Sequence, residues 1–383
     1  MPYINIFMLD IENYPPGYYE CGEKKFINKF DALCHGKKQN LFVNYIYFDN
    51  VWQNFNRDLI GKSNLDQLYK ERAQQLRDKY DYLILYFSGG ADSYNVLKTF
   101  LNNGIKLDEV CVKWCKDSLN SHTKIYQPNT NDLTAYNYLS EWDYAIKPVL
   151  EEISKCSDIK IEIVDWFKNK DEKTIDLAFQ KVNHWHDIEV NSLACWSPSE
   201  FKMFEKGKKV GSIYGIDKPV LYFEKENVYM CFLDSALSMG TPNSINLFGT
   251  EYFYYCPDFP LLTFEMANTA AKVYNLDKFS KFKITKPLVN FIKKDQFYQK
   301  FIRQYLYTTW TNRFQAFKPM AIDRYDKHFW IVKHPEFKNY TQIFQSYFKD
   351  YLNALGEKWY KSESGFYKVI TSKKHFVCSL TDT

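Results

Sequence analysis

The sequence predicts an α/β protein in which a parallel sheet is flanked by helices, with a largely helical C-terminal extension. Three observations predict it. Residues 83–87, Leu-Ile-Leu-Tyr-Phe, form an apolar run without polar alternation, the pattern of a strand covered on both faces. The run passes through Ser88-Gly89-Gly90 into a segment with apolar residues at helical spacing, and residues 109–114 then return as a second strand, so the unit closes as a right-handed strand, helix, strand crossover. From about residue 285, helical aromatic segments alternate with loops, with no repeat of fixed period.

Read in order, residues 1–63 contain short apolar segments at 4–9 and 41–48, separated by a Pro-Pro-Gly turn and a lysine-rich loop, which suggests strands of an N-terminal extension. Asn64 is an N-cap for a helix through Leu65, Leu68, Tyr69, Ala73 and Leu76 to about Tyr80. The central strand, the glycine turn and the helix 94–101 follow, and Asn102-Asn103-Gly104 stops that helix. A polar loop over 116–135 precedes a helix over 136–154 that Pro148 should kink or restart.

Residues 159–166 alternate as a strand near a sheet edge, with Asp165 at its carboxyl end. Residues 171–206 look helical. The next strand ends in Gly215-Ile216-Asp217-Lys218-Pro219, residues 220–232 make a β-hairpin, 240–244 a turn, and 261–274 a helix. The chain therefore divides into an N-terminal extension (1–63), a central α/β domain (64–284) and an aromatic-rich helical region (285–383).

The chemistry concentrates where the first central strand meets its helix. Successive glycines let the backbone turn sharply and approach a ligand, N–H groups converge at the helix start, the helix dipole adds positive potential, and Ser88 and Ser93 add hydroxyls. This is an anion site, and the natural anion is a phosphate. The pattern lacks the Gly-Lys-Ser of the Walker loop and the three spaced glycines of the dinucleotide loop.

Ser88-Gly89-Gly90-Ala91-Asp92-Ser93 carries every fixed position of the S-G-G-x-D-S signature and so resembles the PP-loop ATP pyrophosphatases, the adenine nucleotide alpha-hydrolase-like group with a HUP-like fold. The resemblance implies ATP as ligand, with Mg²⁺, and adenylation of an acceptor with release of pyrophosphate. It implies that Ser88, Gly89, Gly90, Ala91, Asp92 and Ser93 hold the phosphates, with Asp92 positioning the helix start or the metal. Lys113 and Trp114, at the end of the second strand, are implied as a wall for adenine.

Asp217 and Lys218 look like the second phosphate element of such proteins, Asp217 as a ligand for Mg²⁺ and Lys218 as a counter-charge, so Asp92, Asp217 and Lys218 are the catalytic candidates. Pro2, where a nucleophilic cysteine would be needed, excludes a built-in glutaminase at the start of the sequence. A weaker resemblance, to PP-loop proteins of tailed bacteriophages, rests on the arrangement of the loop, Gly215 to Pro219 and the aromatic extension.

Composition limits the alternatives. A formal charge of +4, from 50 basic and 46 acidic residues, gives no bulk electrostatic case for nucleic acid, although Arg303, Tyr305, Tyr307, Trp310, Arg313 and Lys318 offer stacking and basic groups locally. The 9 cysteines are scattered and odd in number, which reads as reduced thiols of a cytoplasmic protein, and no apolar run is long enough to span a bilayer.

Zinc at His184, His186 and Cys195, or at Cys111 and Cys115, lacks further ligands in the sequence. The rival enzyme is a sulfonucleotide (PAPS) reductase-like one, for which Cys378 would be the tail nucleophile, and the rival of another class is a non-catalytic nucleotide-binding protein. The acceptor, a small molecule or a nucleic-acid base, is not specified by any residue pattern.

Overall fold

The computed structural model describes residues 11, 17–114, 141–165, 197–216, 219–234, 249–275, 302–310, 349–351, 353–355 and 370–381. Strands β1 (Tyr18–Cys21) and β2 (Lys24–Phe26) form a hairpin that turns at Gly22, whose φ is +60°. Helix α1 (Lys29–Gln39) follows, and β3 (Val43–Ile46) pairs antiparallel with β1 to give the order β2-β1-β3.

The predicted strand over 41–48 is thus present as β3, while residues 4–9 lie outside the described residues. The lysine-rich stretch expected to be a loop is instead α1, and its ends explain why. The Asn28 side chain accepts from the N–H groups of Phe30 and Asp31, and Asn40 closes the helix in the left-handed region at φ 54°. Gly36 stands inside the helix because a Cβ there would lie 2.9 Å from the Leu41 carbonyl oxygen.

Helix α2 (Asp49–Gln53) and a 3₁₀ turn (Arg57–Leu59) lead to α3 (Leu65–Lys79), capped as expected by Asn64, whose side chain accepts from Gln67 N at 2.8 Å. Leu68, Tyr69, Arg72, Ala73 and Leu76 form its buried stripe. Next come β4 (Tyr82–Tyr86), α4 (Ala91–Asn102) and β5 (Glu109–Trp114). A π turn (Glu141–Ile146) runs into α5 (Lys147–Cys156), so Pro148 restarts a helix from its first turn, where its missing N–H costs nothing.

The central sheet is completed by β6 (Lys160–Asp165), β7 (Val210–Tyr214) and β10 (Gly249–Tyr252), with α6 (Pro198–Glu205) between β6 and β7. Its five strands are all parallel, in the order β10-β7-β4-β5-β6. Along the chain the sheet grows from β4 outward to β5 and β6, then returns across to β7 on the other side of β4. This is the order of a doubly wound sheet.

The helices lie on both faces. On one, α3 reaches β10 through Arg72, whose Nη2 lies 2.8 Å from Glu251 Oε2, and α4 meets α5 through Lys98 and Glu152 at 2.5 Å. On the other, the Glu200 carboxylate of α6 accepts from the hydroxyls of Tyr86 on β4 and Ser212 on β7, both at 2.5 Å. Gly211 and Gly249 are register partners on β7 and β10, and the Tyr80 ring fills the slot they leave: a Cβ on Gly249 would fall 1.8 Å from the tyrosine oxygen. That oxygen in turn donates to Glu251 Oε1 at 2.5 Å.

Strands β8 (Val220–Glu224) and β9 (Asn227–Cys231) make the predicted hairpin. Helix α7 (Pro260–Asn275) is the predicted helix, beginning at proline. Of the C-terminal region expected to be largely helical, residues 302–306, 349–351 and 353–355 are helical among those described, and β11 (His375–Ser379) is a strand that pairs antiparallel with β9, with His375 and Val377 turned inward.

The aromatic residues weld these parts together. Tyr47 packs on Trp52, Phe232 and Tyr255, and Trp52, wholly buried, donates its indole N–H to the Tyr47 carbonyl at 2.8 Å. A ring of this kind removes roughly 150–250 Å² from water, a gross gain of about 4–6 kcal/mol before ordering entropy. Among the described residues no helix is long and apolar enough to cross a membrane.

Candidate functional site

In a doubly wound sheet, ligands bind outside the carboxyl ends of the strands where the winding reverses, here between β4 and β7. The loop from Ser88 to Ser93 leaves β4 at that point. Gly89 sits at φ +78°, in the left-handed region, and packs so closely on the π turn that a Cβ would lie 2.7 Å from Ile146 Cγ1. Gly90 is the N-cap of α4, and no side chain caps this helix, in contrast to Asn28 on α1 and Asn64 on α3. Without a cap, the first-turn N–H groups of a helix are donors for an anion.

Hydroxyls tie the loop to itself. Ser93, 3 % exposed, accepts from Ser88 N at 3.3 Å, donates to the Gly90 carbonyl at 3.2 Å and lies 3.1 Å from the Ser88 hydroxyl. Ser88 is exposed, and its oxygen accepts from Gly90 N at 3.3 Å. Ser93 therefore shapes the loop from beneath, while Ser88 lies at its surface. Ala91 is buried at the start of α4.

The end of β7 meets the same helix start. A Cβ on Gly215 would lie 2.9 Å from both the Cα and the N of Ser93 and 3.1 Å from the carbonyl carbon of Asp92. Gly215, directly after β7, thus lies in contact with the loop. Asp217 and Lys218 themselves lie outside the described residues, as do Cys115, His184, His186, Cys195, Arg313 and Lys318.

Asp92, in the first turn of α4, is engaged by a later part of the chain. Its carboxylate accepts from the Tyr307 hydroxyl at 2.6 Å and lies 3.3 Å from Arg303 Nη2, while its carbonyl accepts from Tyr254 at 2.8 Å. Burial, then the Asp92 carboxylate, push the Tyr307 hydroxyl far above its ordinary range, so it stays a donor. In this arrangement the Asp92 carboxylate faces a cation, the Arg303 guanidinium. Arg303 and Tyr307, read from sequence as basic and stacking groups, both contact Asp92, and Tyr307 is 1 % exposed.

Lys113 and Trp114 part company because neighbours on a strand point to opposite faces. Trp114, 1 % exposed, packs on Trp142 as core and forms no open wall. Lys113 lies on the α6 face, its ammonium 4.6 Å from the Tyr86 ring centre and 5.7 Å from that of Tyr214, two rings stacked at 4.8 Å. Below them Glu200 is wholly buried. Burial raises its pKa above the ordinary carboxylate value, against the hydroxyls of Ser212 and Tyr86 and the charge of Lys113.

Asp165, at the carboxyl end of β6, is 7 % exposed, on an edge strand two places from β4. Burial raises the Cys111 thiol well above its ordinary value, which removes it as a thiolate ligand or nucleophile. Cys378 lies in β11 opposite Val228, where a mobile reductase tail would have to be free. Among the described residues no group of three or more His, Cys, Asp or Glu could hold a metal ion.

Glu200, Arg303, Tyr254 and Tyr307 were not predicted at the site. Their sequence neighbourhoods carry no motif, and only the tertiary fold brings them to β4 and α4. No family model, curated protein or solved structure matches the chain.

Proposed function

We propose that the chain is an ATP-binding enzyme of the PP-loop, HUP-like kind that adenylates an acceptor and releases pyrophosphate. The observation that carries this reading is the uncapped Gly90 start of α4, at the reversal point of the sheet, with the end of β7 packed against it through Gly215. In the reaction an acceptor oxygen attacks the α-phosphorus, the bond to the bridging oxygen of the β-phosphate breaks, AMP is transferred, and pyrophosphate leaves with the electron pair. The backbone of Gly89, Gly90 and Ala91 and the Ser88 hydroxyl hold the departing phosphates, and Ser93 keeps the loop in shape. Such catalysis is mainly positioning and charge stabilisation.

Mg²⁺ would enter with the nucleotide. Asp217 is its proposed ligand and Lys218 a proposed counter-charge, the two residues that follow Ile216 in the sequence. Asp92, held by Tyr307 and Arg303, does not fit that role. Lys113 with the Tyr86 and Tyr214 rings is the proposed adenine side, without Trp114. A reducing, cytoplasmic setting agrees with the free thiols of Cys21, Cys34, Cys111, Cys231 and Cys256.

The test is incubation with ATP and Mg²⁺, with and without cell extract, followed by assay of pyrophosphate. Pyrophosphate released together with AMP or an adenylated product supports the enzyme. ATP binding without turnover in either condition assigns a binding module, and no binding at all removes the reading.

A further inference from the structure

The segment 302–310 approaches the loop from a distant part of the sequence and is anchored there by contacts of its own. Ile302, Leu306 and Tyr307 are 5 %, 2 % and 1 % exposed. The Leu306 carbonyl accepts from the Tyr69 hydroxyl of α3 at 2.8 Å, and the Thr309 hydroxyl donates to Asn95 Oδ1 of α4 at 2.8 Å. Tyr307 packs against Tyr254 and Tyr69. These contacts hold the segment whether or not Arg303 is present, and they bring its guanidinium to the carboxylate of Asp92.

An acid in the first turn of a helix is favourable for the empty helix, because it faces the positive end of the dipole. The same acid opposes any anion that comes to that end, since two like charges a few ångströms apart in a partly buried site repel strongly. Asp92, with its side chain 19 % exposed, is in that position, and Arg303, 24 % exposed, neutralises it at 3.3 Å.

We propose, resting on the reading of loop 88–93 as a phosphate site, that Arg303 is a positioning residue of that site: it cancels the charge of Asp92, so that a triphosphate meets a neutral pair. Tyr307 fixes the carboxylate through its other oxygen at 2.6 Å and keeps it turned toward the arginine. The segment 302–310 is then part of the nucleotide site, although none of its residues belongs to the loop motif.

The experiment is calorimetric titration with ATP in the presence of a chelator, so that metal binding does not enter, on the whole chain and three variants, with urea unfolding alongside. Arg303→Met removes the guanidinium that faces the acid and is expected to weaken ATP about 10–100-fold, the range for loss of a hydrogen bond to a charged group. Arg303→Lys keeps the charge and should stay within about threefold of the parent. Arg303→Met combined with Asp92→Asn removes both charges and should regain most of the lost affinity, which a merely structural role would not allow.

If the parent binds ATP and Arg303→Met binds it equally well, the inference fails and the phosphate site stands. If the double variant is as weak as Arg303→Met, or Arg303→Lys is as weak, charge compensation is refuted. If the parent binds ATP neither with the chelator nor with Mg²⁺ present, the reading of the loop fails and this inference with it. Should Arg303→Met not fold, Arg303→Lys and the double variant, neither of which buries a lone carboxylate, decide the matter.

Discussion

Gly215→Ala is the substitution on which the geometry of the site can be tested most directly. The new methyl would stand 2.9 Å from two backbone atoms of Ser93 and 3.1 Å from one of Asp92, where ordinary contact begins at 3.4 Å. The shortfall of about half an ångström has to come from main chain, not from a flexible side-chain end. Helix α4 cannot retreat, since Val96, Leu97 and Phe100 beneath it are wholly buried, and β7 is fixed between β4 and β10. Overpacking of this sort costs about 1–3 kcal/mol, and any relief moves the first turn of α4.

Gly215→Ala should therefore lose about 1–3 kcal/mol in urea unfolding and bind ATP more weakly in calorimetry. Gly104→Ala is the control. Gly104 has φ +64° and nothing within 4 Å of a new Cβ, so only backbone strain of about 1 kcal/mol applies, with ATP affinity unchanged. If Gly215→Ala matches the wild type in both stability and affinity, the end of β7 does not pack on the loop and the argument from the reversal point collapses.

Three further outcomes are expected. Ser93→Ala, which removes the hydroxyl that ties Ser88 to Gly90, should cost about 1 kcal/mol and weaken ATP binding, while Ser88→Ala leaves stability within about 0.5 kcal/mol; equal effects of the two on stability would refute the division of roles. Burial opposes ionisation of Glu251, but Arg72, Lys79 and the Tyr80 hydroxyl hold its pKa below the ordinary value. Its contribution is present above about pH 4.3 and lost as pH falls through the folded pKa, so Glu251→Gln should flatten the acid limb of urea stability below about pH 4.3. An unaltered limb would contradict this.

Glu200 works in the opposite sense. Burial raises its folded pKa, so the native state holds the proton more tightly, and stability is greatest below the ordinary carboxylate value of about 4.3. Stability then declines as pH rises toward the folded value. Glu200→Gln, which keeps an acceptor for Tyr86 and Ser212, should remove that decline above the ordinary carboxylate value of about 4.3. Parallel stability curves for the two proteins would refute it.

The parts legible in the sequence were those in which local pattern and tertiary role agree. The apolar run of β4, the alternation of β6 at the sheet edge, the Asn64 cap, the hairpin β8 to β9 and the helix starting at Pro260 each carry their own signal. β10 does not. It is four residues long, begins with Gly249 and contains the buried acid Glu251, and it is a strand because β7 offers a parallel partner and Arg72 a counter-charge.

α1 was hidden by Gly36 and its lysines, residues that score as loop until the neighbouring Leu41 carbonyl is seen to require the glycine. At the site the loop was legible because glycine turns leave a compact pattern. Asp92's role was not, because its partners Arg303 and Tyr307 are separated from it by most of the chain.

The pairing of β11 with β9 also bears on how the molecule is made. His375 sits opposite Met230, so on the ribosome one edge of β9 waits for a partner synthesised roughly 145 residues later. At about 5–20 residues per second the wait is on the order of 7–30 s, far longer than the microseconds in which the hairpin β8 to β9 can close. During that interval the nascent chain exposes a strand edge of Val228, Met230 and Cys231, the kind of surface that pairs with other chains. Chaperone demand should therefore concentrate in the window between the emergence of β9 and that of β11.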